Sequence, residues 1–532
     1  MDWYINAIFY ELYPRAFADG DGDGHGDLSG LRKRLDYLEW LGVDCIWMTP
    51  IYPSPLRDDG YDISSFYGVH PAFGMIEDFK MTVDEIHRRK MRIIMDLVVN
   101  HTSDQHPWFK EARSSKESPL RDYYVWSETP DKYRETRIIF LDTESSNWAY
   151  DENTGEYYWH RFYRTQPDLN YDNPLVREEM LKVMAFWLDL GIDGFRVDAV
   201  PYLIEREGTN CENLPETHDI LQEMREFIDN NYPGTLLLAE ANQWPHDLMP
   251  YFGTPENKEF QMCFHFPVMP RLYMALARQD RESVVRIMNE TPDIPEDCQW
   301  ATFLRNHDEL TLEMVTPEDR DFMWDFYAPE PRQRLNLGIR RRLASLMDND
   351  RRKVELLYSL LFTLPGAPVL YYGDEIGMGD DIGLEDRNGV RTPMQWTDRD
   401  SSGFSSAQTD SLYAPIINDP VYGYRHVNVL SQQVKRDSLL YVVRTMIRTR
   451  KRFPLLAKGQ LVWLDDLPKQ ALCFWRLEGG ERFLGLHNLS GDALHVPLPE
   501  EKTFFDVLDT NVTTVRGSVL LEPYGYRWLT ER

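Results

Sequence analysis

Short apolar runs return along this chain with helix-like stretches between them, and that rhythm narrows the folds open to it more than any other feature. Residues 7–13 (AIFYELY), 43–48 (VDCIWM), 92–99 (RIIMDLVV), 194–198 (GFRVD), 235–240 (TLLLAE), 301–306 (ATFLRN) and 368–372 (PVLYY) read as strands. Residues 31–41 (LRKRLDYLEWL) carry leucines and aromatics at helical spacing and stop at Gly42, and residues 79–90 read as another helix. Strand, helix, strand repeated in this way means parallel β-structure with right-handed crossovers. Strands that are apolar on both faces fit a sheet covered on both sides. The count suits an α/β fold of the (β/α)8 TIM-barrel type, with the least distinct strand, the sixth, at 261–266. Two regions break the rhythm. Residues 101–166 are polar and aromatic with little helical period, which makes them an inserted subdomain after strand three. From 453 to 532 the runs LVWLDD, ALCFWRL, RFLGLHNL and TFFDVL alternate with turn residues, the pattern of a C-terminal antiparallel, sandwich-like β domain. The barrel then occupies 1–100 and 167–452, the second part with lid-like insertions.

Composition excludes several classes of function. A formal net charge of −29 repels phosphate backbones and anionic lipid, so neither a nucleic acid nor a membrane surface is an expected partner. The N-terminal residues lack the basic-then-apolar order of a signal peptide, and no apolar run is long enough to span a bilayer. The cysteine count is 5, without CxxC spacing, as in a reducing compartment. A cytoplasmic protein is the expectation.

In a parallel barrel the residues just past the C-terminal ends of the strands face one mouth. Those ends bring Asn100 and His101 from strand three, Arg196 and Asp198 from strand four, Glu240 from strand five, and His307 and Asp308 from strand seven. Two carboxyl groups flanking one bond are the apparatus of glycoside chemistry: one attacks the anomeric carbon, the other protonates the leaving oxygen. The segments DLVVNH, GFRVDAV, LLAE and RNHDE, in this order and at these spacings, resemble the four signature regions of the α-amylase family, glycoside hydrolase family thirteen. The resemblance covers essentially the whole chain. It implies Asp198 as nucleophile, Glu240 as general acid and base, and Asp308 as transition-state stabiliser. It further implies that Arg196 keeps the nucleophile ionised and that His101 and His307 bond the sugar. RDDGYD adds Asp58 for sugar hydroxyls and Tyr61 as a stacking platform, and RTPMQW adds Arg391. Repulsion among the carboxylates is expected to raise the Glu240 pKa.

Longer stretches, among them VDAVPYLIEREGTNCENLPETH and RNHDELTLEMVTPEDRDFM, are similar to members that isomerise disaccharides. This implies an isomerase interconverting maltose and trehalose by retaining intramolecular transglucosylation, with minor hydrolysis to glucose. The alternative is a retaining α-glucosidase or a sucrose isomerase. Isomerisation requires that water be kept from the intermediate, and the segments at 210–216 and 309–313 are the candidate lids. Family members often associate, so a homo-oligomer is implied as well. No organic cofactor is expected. The resemblance implies a structural Ca2+ held by Asn100, Asp168, Glu205 and the carbonyls of Tyr202 and Leu203. A second site is read from DGDGDGHGD, where Asp19, Asp21, Asp23 and Asp27 alternate with glycine and His25 offers its carbonyl. Odd-position oxygens suit Ca2+ or Mg2+.

Overall fold

The computed structural model describes residues 2–498, 502–509 and 514–531. Eight parallel strands close into a barrel: β1 (Phe9–Leu12), β2 (Cys45–Met48), β3 (Arg92–Val98), β4 (Gly194–Asp198), β5 (Leu236–Ala239), β6 (Met262–Phe264), β7 (Gln299–Phe303) and β8 (Ala367–Tyr371), with β8 pairing back to β1. All are buried apart from Arg92 at the start of β3, which is why they read as apolar runs. The register between β3 and β4 aligns the charged residues inside them. Asp96 on β3 lies opposite Arg196 on β4, and Val98 lies opposite Asp198. With a side-chain period of two, Asp96, Arg196 and Asp198 share one face of the sheet.

The sixth strand is indistinct in the sequence because only three residues form it. Its start is held by a side chain: Gln261 accepts the Leu237 N–H through Oε1 at 2.8 Å and donates through Nε2 to the Thr235 carbonyl at 2.8 Å. Helix α1 (Leu28–Leu41) closes the first crossover, with Asp27 capping its N-terminus through the Gly30 N–H and Gly42 ending it at φ 105°.

The insertion after β3 is tied down by two isolated bridges, His101 to Asp168 and Tyr124 to Leu169. It carries an antiparallel sheet of Trp126–Ser127, Glu156–Trp159 and Trp148–Asp151 in that spatial order. It also holds a helix, Pro107–Ala112, too short to leave a periodic signature in the sequence. After β7 the chain leaves the barrel to form a small sheet of Leu310–Thr311, Gly338–Ile339 and Arg334–Leu335. At the C-terminal end a helix, Leu455–Lys458, precedes the first strand, Gln460–Trp463, so β-structure begins a few residues beyond 453. The domain consists of a six-stranded antiparallel sheet and a two-stranded ribbon, Leu494–Pro497 with Ser518–Leu521, closing over their own apolar core. Ser359 joins it to the barrel: its hydroxyl lies 2.8 Å from His487 Nε2 and accepts from Trp528 Nε1 at 2.8 Å. Among the described residues no helix is long and apolar enough to cross a membrane, and the cysteines are all buried and unbridged.

Replacing Gln261 with leucine strands one buried acceptor and one buried donor of the barrel, a cost of about 1–3 kcal/mol. Gln261→Leu is expected to lower the thermal midpoint measured by calorimetry.

Candidate active site

Arg196 is the centre of the site. It is 1% exposed and meets three carboxylates: NH1 lies 2.5 Å from Asp96 Oδ1 and 2.5 Å from Asp198 Oδ1, and NH2 lies 2.5 Å from Glu240 Oε1. Trp47 completes the grip, donating from Nε1 to Asp96 Oδ2 at 2.7 Å, with its ring 5.3 Å from the guanidinium. Directly after Asp198 the chain turns sharply. Ala199 sits at φ 52°, a left-handed conformation unusual for alanine, and its N–H donates to Glu240 Oε2 at 3.0 Å.

One cation among three buried acids cannot keep all of them ionised. Burial pushes Glu240 up to about 8; Arg196 opposes the shift, and Asp198 and Asp308 add repulsion. Burial also raises Asp198, to about 6, despite the pull of Arg196. The sequence expectation named charge repulsion for Glu240 and Arg196 for Asp198; desolvation outweighs both. Asp308 is different. Burial disfavours its charge, yet the guanidinium groups of Arg387 and Arg391 hold it well below the usual carboxylate range. Near neutral pH the arrangement therefore offers an ionised attacker, a protonated acid and a permanently charged third carboxylate.

The two histidines are neutral: burial lowers His101 to about 3, and lowers His307 far below its ordinary value. His101 lines the cavity, and its buried Nε2 has no hydrogen-bond partner among the described residues. His307 is clamped, with Nδ1 2.5 Å from Glu11 Oε1, Nε2 3.4 Å from Asp308 Oδ2, and its ring stacked on Tyr61 at 5.1 Å. One face of the Tyr61 ring is thus occupied by protein. Asp58 closes the sugar end, accepting from Gln166 Nε2 at 2.8 Å, and burial pushes its pKa to about 7.

Asp58, Tyr61, His101, Asp198, Glu240, His307 and Asp308 all line one cavity. Arg196 and Arg391 are not among its lining residues. Arg196 acts from below through the carboxylates, and Arg391 sits behind Asp308, donating from NH2 to Asp308 Oδ1 at 3.0 Å and from Nε to the His307 carbonyl at 2.9 Å. The arginine exposed to the cavity is Arg387, with Nε 3.2 Å from Asp308 and 2.8 Å from Glu309. Sequence reasoning missed Arg387, Asp96 and Glu11. The two acids carry a signal, a lone charge inside a strand that is otherwise apolar. Arg387 carries none, being one arginine among several in a loop.

The far half of the cavity is walled by Phe140, Phe162, Tyr202 and Phe266, with Asn242, Thr311 and Glu313 supplying polar groups. Arg137 links the segments beside it. Its Nε lies 2.7 Å from Glu212 Oε1 and its NH1 3.1 Å from Glu313 Oε2, so the insertion and both candidate lid segments meet on one side chain.

For the first candidate metal site the structure leaves three buried oxygens, Asn100 Oδ1, Asp168 Oδ2 and Glu205 Oε1, without hydrogen-bond partners among the described residues. Burial pushes Asp168 to about 8 and Glu205 well above its ordinary range, and the two acids repel each other. Tyr202 and Leu203 lie on the turn between Asp198 and Glu205, and the Tyr202 ring also lines the cavity. In the 19–27 loop, carboxylate oxygens of Asp19, Asp21 and Asp27 lie within 4.8 Å of one another. Asp23 does not join them: it accepts the His25 N–H at 2.8 Å. The His25 ring is turned to Arg15, whose Nε donates to Nδ1 at 3.3 Å.

Comparison with known proteins agrees with this geometry. Residues 11–323 and 340–459 match the model of the alpha amylase catalytic domain. The chain is 56% identical over 493 residues to the trehalose synthase/amylase of Mycobacterium tuberculosis, covering 92% of this chain and 82% of that one. It is 56% identical over 500 residues to the trehalose synthase of a Pimelobacter species, covering 92% and 87%. The oligo-1,6-glucosidase of Bacillus cereus is 30% identical, with 98% of each chain covered. A solved trehalulose synthase variant in complex with Tris superposes with a TM-score of 0.82 at 29% identity, covering 100% of both chains.

A reaction that needs Asp198 ionised and Glu240 protonated gains rate as pH rises through about 6 and loses it as pH rises through about 8. The expected kcat/KM profile is a bell with its maximum near neutrality. A flat profile across both limits would contradict these protonation states.

Proposed function

This chain belongs to the α-amylase family, and from that premise we propose that it interconverts maltose and trehalose, acting as a maltose α-D-glucosyltransferase. Glu240 gives its proton to the oxygen linking the two glucose units as Asp198 attacks the anomeric carbon. The glycosidic bond breaks, and the non-reducing glucose becomes an ester of Asp198. The released glucose stays enclosed, turns, and presents its own anomeric hydroxyl. Glu240, now a carboxylate, takes that proton, the new C–O bond forms, and Asp198 leaves. Two inversions at one carbon give net retention and an α,α-1,1 linkage. Asp308, charged at any working pH, faces the positive charge that develops on the ring in each step. His101, His307, Asp58 and Arg387 supply hydrogen bonds to the glycon.

The observation that carries the reading is the pairing of attacker and acid on one guanidinium, in a cavity lined from both the insertion and the segment after β7. Two oxygens gripped by the same fork fit the carboxyl separation of about 5–5.5 Å found in retaining enzymes better than the wider gap that an inverting enzyme leaves for water. Closure of the 210–216 and 309–313 segments over the sugar would keep the cleaved glucose in and bulk water out. Water that enters gives glucose as the minor product. The high identity to proteins named trehalose synthase supports the same choice.

We extend the proposal to metal ions. Asn100, Asp168, Glu205 and the carbonyls of Tyr202 and Leu203 would hold Ca2+, and the orphaned buried oxygens fit a hard cation. Bound there, the ion supplies charge neutralisation and a cross-link between the insertion and the segment after β4; it takes no part in bond making. Asp19, Asp21 and Asp27, with the His25 carbonyl, would hold Ca2+ or Mg2+. Unbridged buried cysteines support a reducing cytoplasm as its location. Self-association is carried as a further expectation, read by light scattering.

Incubation with maltose and identification of the products by chromatography is the deciding experiment. Trehalose should form, with a little glucose, and Asp198→Ala should lose at least about a thousandfold in kcat. Glucose without trehalose would favour the α-glucosidase alternative. Chelation is expected to lower the thermal midpoint of the wild-type protein, and to do so less in Asp168→Ala, where one ligand is already missing.

A further inference from the structure

Asp59 adjoins Asp58 yet lines no part of the catalytic cavity, and the glucosyl transfer does not use it. It is nonetheless built against local preference. Its backbone lies at φ 48°, where a β-carbon is disfavoured and glycine is at ease. Its side chain is 12% exposed, and both oxygens are engaged. Oδ1 accepts from the Tyr13 hydroxyl at 2.7 Å and from Arg15 NH1 at 3.2 Å; Oδ2 accepts from Arg391 NH1 at 2.7 Å.

From Asp59 two arms reach in opposite directions. Arg391 reaches forward to the His307 carbonyl and to Asp308 Oδ1. Arg15 reaches back to the 19–27 loop: its Nε donates to His25, and its guanidinium lies 4.7 Å over the Tyr413 ring. Tyr413 makes a second, parallel route. It stacks on His25 at 6.0 Å, donates its N–H to the Gly24 carbonyl at 3.0 Å, and gives its hydroxyl proton to the Arg391 carbonyl.

An arginine on a flexible stem keeps one pose only when fixed acceptors hold its fork from more than one side. Asp308 cannot be the sole anchor, because its oxygens must remain available to the sugar. Asp59 is the anchor on the opposite side. We propose that Asp59 is a positioning residue: it fixes Arg391, through Arg391 the orientation of Asp308, and it transmits to that pair the posture of the 19–27 loop by way of Arg15.

The inference rests on Asp308 acting in the proposed reaction, so the test uses two substrates. Asp59→Gly suits the backbone and deletes the carboxylate; Asp59→Asn also tolerates the left-handed conformation and keeps one acceptor. On maltose and on an aryl α-glucoside alike, Asp59→Gly is expected to lose about tenfold or more in kcat while KM moves less than about threefold, the split that marks an interaction felt mainly in the transition state. Trehalose formation and glucose release should fall in the same proportion, because both come after the first bond cleavage. Asp59→Asn should recover part of the loss. His25→Ala, which keeps its backbone carbonyl, should slow the wild-type protein and have a smaller effect in the Asp59→Gly background. A wild-type kcat in Asp59→Gly, or a loss carried entirely by KM or by the folded fraction, would overturn the positioning role. An undiminished effect of His25→Ala in the Asp59→Gly background would overturn the coupling. A wild-type protein that cleaves the aryl glucoside but makes no trehalose would sink the isomerase reading alone, with Asp59 still judged on the aryl substrate.

Discussion

The site is organised by a single guanidinium buried among three carboxylates. Arg196 neutralises part of the charge that Asp96, Asp198 and Glu240 bring into the barrel, and it leaves the rest as a constraint on protonation. Buried charges are tolerated only when paired and hydrogen-bonded. With two more acids than bases at this point, the protein meets that condition by keeping a proton on the group that must deliver one. Glu240 and Asp198 are thus distinguished by how the surroundings divide one positive charge, although both are ordinary carboxyl groups at the ends of adjacent strands.

A second cluster, on the other side of the cavity, does the reverse. Asp308 has two guanidinium neighbours, Arg387 and Arg391, and stays ionised in spite of its burial. Glu11 from β1 fixes the imidazole that lies between Asp308 and the Tyr61 ring. Proton-poor and proton-rich carboxylates therefore face the same few ångströms of space. The insertion and the excursion after β7 both line that space, and Arg137 joins them through its ion pair with Glu313.

Much of this was legible in the chain. The barrel strands show as apolar runs because both their faces are covered, and β4 coincides with GFRVD residue for residue, opening on Gly194 and ending at the left-handed turn of Ala199. The sixth strand is faint because only three residues form it, and a side-chain amide holds its start. Asp198, Glu240 and Asp308 stand out by their place at strand ends, and the fold brings them to one cavity. Asp96 and Glu11 were overlooked because they sit inside strands, where a charge has meaning only if its partner across the sheet is known. Arg391 was named for the substrate, and it was Arg387 that faced the cavity; a loop without period offers no way to tell which of two arginines points inward.

What the sequence determined by itself is the architecture and which polar groups gather at one end of the barrel, because periodicity, strand ends and residue type are local properties. The tertiary structure alone decided how those groups share protons and which side chains hold them. Those properties depend on burial and on register between segments as far apart as Glu11 and His307, or Asp59 and Arg391. The conspicuous acids of the 19–27 loop illustrate the division. Their spacing marks a turn able to take a cation, and only the fold shows that the same turn leans, through Arg15 and Tyr413, on the arginine behind Asp308.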